Sequence, residues 1–241
     1  MPKFFLSYVP DEQAVLTGED GRHIAKSLRM RPGETLTLCD CIGMDYEGEI
    51  LSIEGETVTI KILACTKCAA EPTLKATLYQ ALPKQDKFDS VVQKAVELGV
   101  ARVVPVMTAR CVSRPEEKAL AKKVERWRKI AVEAAKQSGR GILPQVGDAM
   151  PFRLAVEEVE AAGGVNLLFY EGGGARISAL VDESVHTLSL FIGPEGGFEA
   201  SEVELAAAHG IRAATLGPRI LRTETAPIAA LAAIMQASGN L

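Results

Sequence analysis

Apolar positions along the chain follow two different rhythms, and the change falls close to residue 70. Before it they alternate with polar ones in three runs, Glu34 to Asp40, Tyr46 to Ile53 and Thr57 to Leu63. That is the period of strands with one buried face. Pro32-Gly33, Gly43 and Gly55 separate these runs as turn signals. Short strands so spaced predict a small β-barrel, preceded by one short helix, Gly21 to Met30, on which Arg22, Lys26 and Arg29 share a face at steps of four and three. Cys65 to Thr73 has no clear period and contains Ala69-Ala70-Glu71-Pro72. It sets a boundary between a domain of residues 1–70 and one of residues 74–241.

From Leu74 onward short apolar runs alternate with helical stripes, which predicts an α/β domain with a mostly parallel sheet. Ala76 to Leu82, Arg102 to Val106, Val165 to Tyr170, Leu188 to Ile192 and Ile211 to Leu216 read as its strands. Phe88, Val91, Val92, Ala95, Val96 and Leu98 form the stripe of a helix stopped by Gly99. A long basic helix runs from Pro115 to Ser138-Gly139, with Trp127, Ile130, Ala131 and Ala134 on its buried side. Another starts at Ser201, where Ser201 and Glu204 stand at capping-box spacing, and ends at His209-Gly210. The last helix, Thr225 to Ser238, has Pro227 in its first turn, and its Ile228, Leu231, Ile234 and Met235 are backed by alanines. So little polar surface predicts burial, in the core or against another subunit.

The net charge of −4 argues weakly against a nucleic-acid partner. Residues 1–66 carry −5 and residues 141–241 carry −7, however, while residues 67–140 carry +8. A polyanion can be gripped by that middle third. Lys118, Lys122, Lys123, Arg126 and Lys129 within it stand at helical spacing, equally the pattern of a solvated helix face. Lys84, Lys87, Arg110, Arg114, Gln137 and Arg140 instead lie in turns at element ends, where they can converge near a site or form structural ion pairs. The odd number of scattered cysteines (Cys39, Cys41, Cys65, Cys68 and Cys111) gives no disulfide framework, and neither pair has a knuckle glycine for zinc. No apolar run approaches the ~20 residues that span a bilayer, and no signal peptide opens the chain, so a cytoplasmic protein is expected.

Candidate chemistry concentrates where strands end in glycine turns: Glu171-Gly172-Gly173-Gly174, Gly193-Pro194-Glu195-Gly196-Gly197 and Gly217-Pro218. In an open parallel sheet such turns meet at the carboxyl edge, where ligands are held. Neither a phosphate loop nor a dinucleotide fingerprint is present. The second turn carries Glu195 and no basic residue, so it suits an uncharged ring or a cationic small molecule such as S-adenosylmethionine better than a phosphate. His23, His186 and His209 are too dispersed for a metal site or a hydrolytic triad, and no metal is expected.

Phe191-Ile192-Gly193-Pro194-Glu195-Gly196-Gly197-Phe198, followed by Leu216-Gly217-x-Arg219-Ile220-Leu221-Arg222-x-Glu224-Thr225-Ala226, resembles the bacterial 16S rRNA (uracil-N3)-methyltransferase family of the SPOUT class. The likeness extends to His23, Leu28, Arg29 and Gly33 in the first domain, and to Lys84-x-Asp86-Lys87, Glu97-Leu98-Gly99-Val100 and Glu133-Ala134-x-x-Gln137-Ser138-x-Arg140 in the second. The resemblance implies a PUA-like RNA-binding β-barrel domain followed by a SPOUT domain with a trefoil knot, an exception to the usual avoidance of knots. It also implies a homodimer acting on 16S rRNA or the assembled small ribosomal subunit. S-adenosyl-L-methionine is expected at Phe169, Tyr170 and Glu171, at Ile192, Gly193, Pro194, Glu195 and Gly196, and at Leu216, Gly217, Ile220 and Leu221. Thr225 and Ala226, at a helix start, are expected to receive the donor's carboxylate through their N–H groups. Arg222 is expected at the target base, with Glu224 or Glu195 as proton acceptor. RNA contacts are expected from Arg22, His23, Lys26, Arg29, Lys84, Lys87, Arg114, Gln137 and Arg140. Two other readings remain open from the residues alone: ribose 2′-O methylation, and a non-catalytic RNA-binding assembly module.

Overall fold

Alternation in the first seventy residues folds as a curled sheet of β1 (Lys3–Phe5), β2 (Gln13–Leu16), β3 (Thr35–Cys39), β4 (Met44–Glu54) and β5 (Thr57–Lys67). The computed structural model describes residues 1–241, and this sheet belongs to a unit of Met1–Glu71 with Ala135–Leu143. The strand order is β1-β3-β4-β5-β2, with β1 parallel to β3 and the other pairs antiparallel. The edge strands β1 and β2 do not pair. The sheet is therefore an open half-barrel, not the closed barrel expected; three- and four-residue edge strands offer too little ladder to close it. Leu36, Leu38, Ile50, Val58 and Ile60 fill its concave face together with Phe4 and Ile24.

The expected helix is a single α turn, α1 (Gly18–Arg22), continued as a π-helical segment, His23–Leu28. A side chain at Gly21 would sit 1.9 Å from the Glu56 carbonyl oxygen, so only glycine lets this helix touch the β4–β5 turn. Arg29 ends the segment in the left-handed conformation, φ 53°, and so leaves the line of Arg22 and Lys26.

The second unit, Pro72–Ala134 with Pro144–Leu241, contains β6 (Lys75–Ala81), α2 (Lys87–Glu97), β7 (Arg102–Met107), α3 (Glu117–Gln137), β8 (Gln145–Val146), β9 (Met150–Pro151) and α4 (Phe152–Ala162). It continues with β10 (Val165–Phe169), β11 (Ala175–Arg176), β12 (Thr187–Ile192), α5 (Ala200–Ala208), β13 (Arg212–Thr215) and α6 (Ala226–Ala237). The last turn of α3 lies with the first unit. The sheet order is β11-β13-β10-β12-β6-β7-β8, with β9 also on β7, and every pairing is parallel.

Strands buried on both faces explain the continuous apolar runs. On one face Tyr79 stacks on Phe191, centroids 4.6 Å apart, under Phe152, Val156 and Val159 of α4 and Ala206 of α5. The alternate side chains Leu78, Val103, Leu167 and Leu190 are fully buried as well. Each such side chain contributes about 1.5–3 kcal/mol by leaving water. Helix α2 packs on α6, and its Phe88 meets Trp127 of α3 at 4.1 Å. The capping box of α5 is Glu199 with Glu202, two residues ahead of the expected Ser201 and Glu204. Glu202 accepts the Glu199 N–H at 3.0 Å, and the helix starts at Ala200.

Candidate active site

β10 lies between β12 and β13, so the three glycine turns that follow these strands meet at one carboxyl edge. They enclose a cavity of about 570 Å³, within the range of small-molecule sites. Phe169, Tyr170 and Glu171 form one wall, Ile192 to Gly197 a second, and Thr215 to Thr223 with Ala226 a third. Phe169 and Ile192 continue the buried strands into it, while Ile220 is exposed at its rim. The expected donor residues thus line one cavity, apart from Thr225.

Two features hold the walls in place. Thr223 is buried, donates from its hydroxyl to the Gly193 carbonyl at 2.8 Å and accepts from Gln80 Nε2 at 3.2 Å. The third wall is thereby pinned to the turn after β12. Gly197 has φ +66°, and a Cβ there would lie 2.5 Å from the Glu171 carboxylate. The positive φ is what calls for glycine here, since the Glu171 carboxylate, at the end of a flexible side chain, can swing aside. From outside, Arg110 donates to the Gly196 carbonyl at 2.9 Å, and Glu202 accepts the Ala109 N–H at 2.8 Å.

The turn after β12 is acidic in sequence, but folding brings a cation to it. Lys87 Nζ lies 3.4 Å from Glu195 Oε1 and 3.1 Å from Glu224 Oε2. Glu195 also accepts the Lys84 N–H at 3.1 Å. Hydrogen bonding to Glu224 raises the Lys87 ammonium above 10.5, an effect that exceeds the cost of desolvation. Burial alone would raise the Glu224 carboxyl, but its own N–H, Lys87 and Arg222 together hold it below 4.5. Arg222 is exposed on the cavity wall. With Lys87, Arg219 and Arg222 facing Glu171 and Glu195, the lining is mixed in charge, not simply acidic.

Several expected contacts fall elsewhere. The Thr225 and Ala226 N–H groups both donate to the Arg222 carbonyl, at 2.8 and 2.9 Å, and so are already engaged; Thr225 lines a neighbouring groove with Arg176, Ala229 and Ala233. Glu224 stands outside the cavity lining, paired with Lys87. Arg140, expected to face RNA, is 3% exposed and forms a two-pronged ion pair with Glu71 at 2.8 and 2.9 Å. Arg114 braces its own turn, donating to the carbonyls of Thr108, Ala109 and Cys111. Arg22 and Lys26 are exposed but share Glu56, at 2.8 and 3.3 Å. His23 is exposed, its ring centroid 6.2 Å from that of Phe4, while Arg29, Lys84 and Gln137 are exposed. Sequence reasoning did not name Thr223 or Arg219 among the donor-binding residues, and both line the cavity. Thr223 lies inside the quoted motif, but nothing in a sequence says that its hydroxyl turns inward. All five cysteines are free thiols, and burial pushes Cys39 up to about 12.

Sheet and cavity together define an α/β protein with a small-molecule site at the carboxyl edge of a parallel sheet. The family described as RNA methyltransferase domain matches residues 70–235, and the RNA methyltransferase PUA domain matches residues 16–63. The ribosomal RNA small subunit methyltransferase E of Bacillus subtilis is 36% identical over 91% of this chain and 88% of its own. That of Mycobacterium bovis is 31% identical over 96% and 90%. The crystal structure of the Neisseria gonorrhoeae enzyme of the same name, bound to S-adenosyl methionine, superposes with a TM-score of 0.83 at 32% identity, covering 98% and 97%. A methyltransferase from Legionella pneumophila with bound SAM gives 0.79 at 32% identity, over the same shares. The chain belongs to the ribosomal RNA small subunit methyltransferase E family, with a PUA-like first sheet and a SPOUT-like parallel-sheet domain. No helix is long and apolar enough to cross a membrane.

Proposed function

We propose that this protein transfers the methyl group of S-adenosylmethionine to N3 of a uridine in the 16S rRNA of the small ribosomal subunit. The observation that carries this reading is the single cavity made by three glycine turns at one sheet edge, in a chain whose relatives of similar fold hold this donor. The lining fits the donor. Phe169, Ile192, Leu216 and Leu221 offer apolar surface to an adenine ring, and Glu171 and Glu195 offer carboxylates to ribose hydroxyls and to a sulfonium cation. The bound donor supplies an electrophilic methyl group.

The chain's own residues then have two tasks. The three turns fix the donor in line with the incoming base, and such positioning is the larger contribution to rate. Arg222 stabilises the uracil anion formed as N3, a weak acid, loses its proton. Lys87 keeps Glu195 and Glu224 paired at the mouth, and Glu195, the one of the two that lines the cavity, is the proton acceptor. Residues 1–70 serve as the RNA-binding PUA-like domain and residues 74–241 as the methyltransferase domain. A trefoil knot is part of the second, a reading supported by the chain after β13 passing against the turn after β12 through Thr223. The active unit is a homodimer, since Ala229, Ala232 and Ala233 of α6 and Ile228 beside them are only partly covered.

The test is methyl transfer to small subunits from cells that lack this protein, followed by mass analysis of the nucleosides. Methylated uracil base is expected. Methylated ribose, or no transfer, would overturn the proposal.

A further inference from the structure

Helix α3 carries two kinds of cation. Lys123, Arg126 and Arg128 are each held by a carboxylate: Asp86 at 3.7 Å, Asp89, and Asp148 at 2.9 Å. Lys118, Lys122 and Lys129 are exposed and stand outside those pairs. At 3.6 residues per turn the three lie within about 40° of one another, along roughly 17 Å of helix axis. Glu125 falls on the same line but is bound by Arg128, and Glu133 flanks it.

The chemistry of this ridge favours phosphates over bases. Trp127, the helix's one aromatic residue, is 3% exposed and donates its indole N–H to Asp89 at 2.9 Å, so it is not available for stacking. Single-stranded nucleic acid is gripped by charge and aromatic platforms together. A base-paired RNA stem, with its bases turned inward, is gripped through its phosphate backbone and 2′-hydroxyls. Helix α3 also reaches the cavity rim: Lys123 pairs with Asp86, whose neighbour Lys87 bridges Glu195 and Glu224 at the mouth.

We infer that Lys118, Lys122 and Lys129 form a phosphate-gripping ridge for a base-paired RNA stem adjoining the nucleotide presented to the cavity. This rests on the RNA methyltransferase reading of that cavity. All three side chains are exposed, so their replacement leaves the core untouched.

The test compares the full-length protein with its K118A/K122A/K129A variant, titrating deproteinised 16S rRNA and unmethylated small subunits across a salt series. The variant is expected to bind both about tenfold or more weakly at low salt, with the slope of log affinity against log salt reduced by about 2 to 3, as the loss of three phosphate contacts requires. The triple lysine-to-arginine variant keeps both values, and calorimetric affinity for S-adenosylmethionine stays unchanged. Unaltered affinity and slope for both RNAs would overturn the ridge. So would a loss confined to the subunit, which would assign the face to an acidic protein surface. Failure of the wild-type protein to bind S-adenosylmethionine would instead overturn the methyltransferase reading, leaving the RNA titration to be read independently.

Discussion

Arg222 and Glu224 stand two residues apart, yet one faces the cavity and the other pairs with Lys87 outside its lining. Arg222→Ala should therefore lower methyl transfer by about a hundredfold or more, the usual loss when a charge-stabilising donor is removed. Donor affinity measured by calorimetry should hold; an equal loss of both would assign Arg222 to donor binding. Arg140 makes the contrary case. Its cationic head was legible in the sequence, but its partner was not, because Glu71 lies 69 positions away and only the fold brings the two together. Burial alone would raise the Glu71 carboxyl, but Arg140 and the N–H groups of Gly141 and Ile142 hold it below 4.5. A depressed carboxylate contributes stability above its unfolded value and loses it as pH falls through the folded one, so this share should fade in acid below about pH 4.5. Glu71→Gln leaves a buried guanidinium without its counter-ion and should cost about 3–5 kcal/mol in denaturant unfolding at pH 7. The gap from wild type should narrow in acid; a loss independent of pH would contradict the ion pair.

At the scale of elements, the strands and glycine turns were legible because a strand buried on both faces needs an unbroken apolar run and a close backbone approach needs glycine. Helix α4 was legible too, through Phe152, Ala155, Val156 and Val159 at helical spacing before Gly163, but this stripe lay outside the segments read. What no pattern could supply was the tie between turns. Thr223 reaches Gly193 across 30 residues of chain, and one hydroxyl thereby holds two cavity walls together. Thr223→Val keeps the volume and removes the hydroxyl, leaving the Gly193 carbonyl and the Gln80 amide without that partner. A stability loss of about 1–3 kcal/mol is expected, with weaker donor binding by calorimetry. A variant with full donor affinity would show that the tie does not shape the cavity.

For the molecule as a whole, the two-part organisation was legible in the change of period near residue 70, whereas the return of Ala135–Leu143 to the first unit was not. That segment ends a helix whose pattern is continuous, so no break in period marks it. The alanine-rich α6 turned out to bury one side, with Ala230, Leu231, Ile234 and Met235, and to leave its other side partly open. A chain of 25.7 kDa should therefore scatter light as twice that mass at working concentration, and a monomer would contradict the dimer. The central claim, that the turns after β10, β12 and β13 close around a sulfonium donor, is tested most directly by a crystal structure of the protein with S-adenosylmethionine. Density for the donor is expected between Glu171, Glu195 and Leu216, with its methyl group turned towards Arg222. Density elsewhere on the protein, with this cavity unfilled, would contradict it.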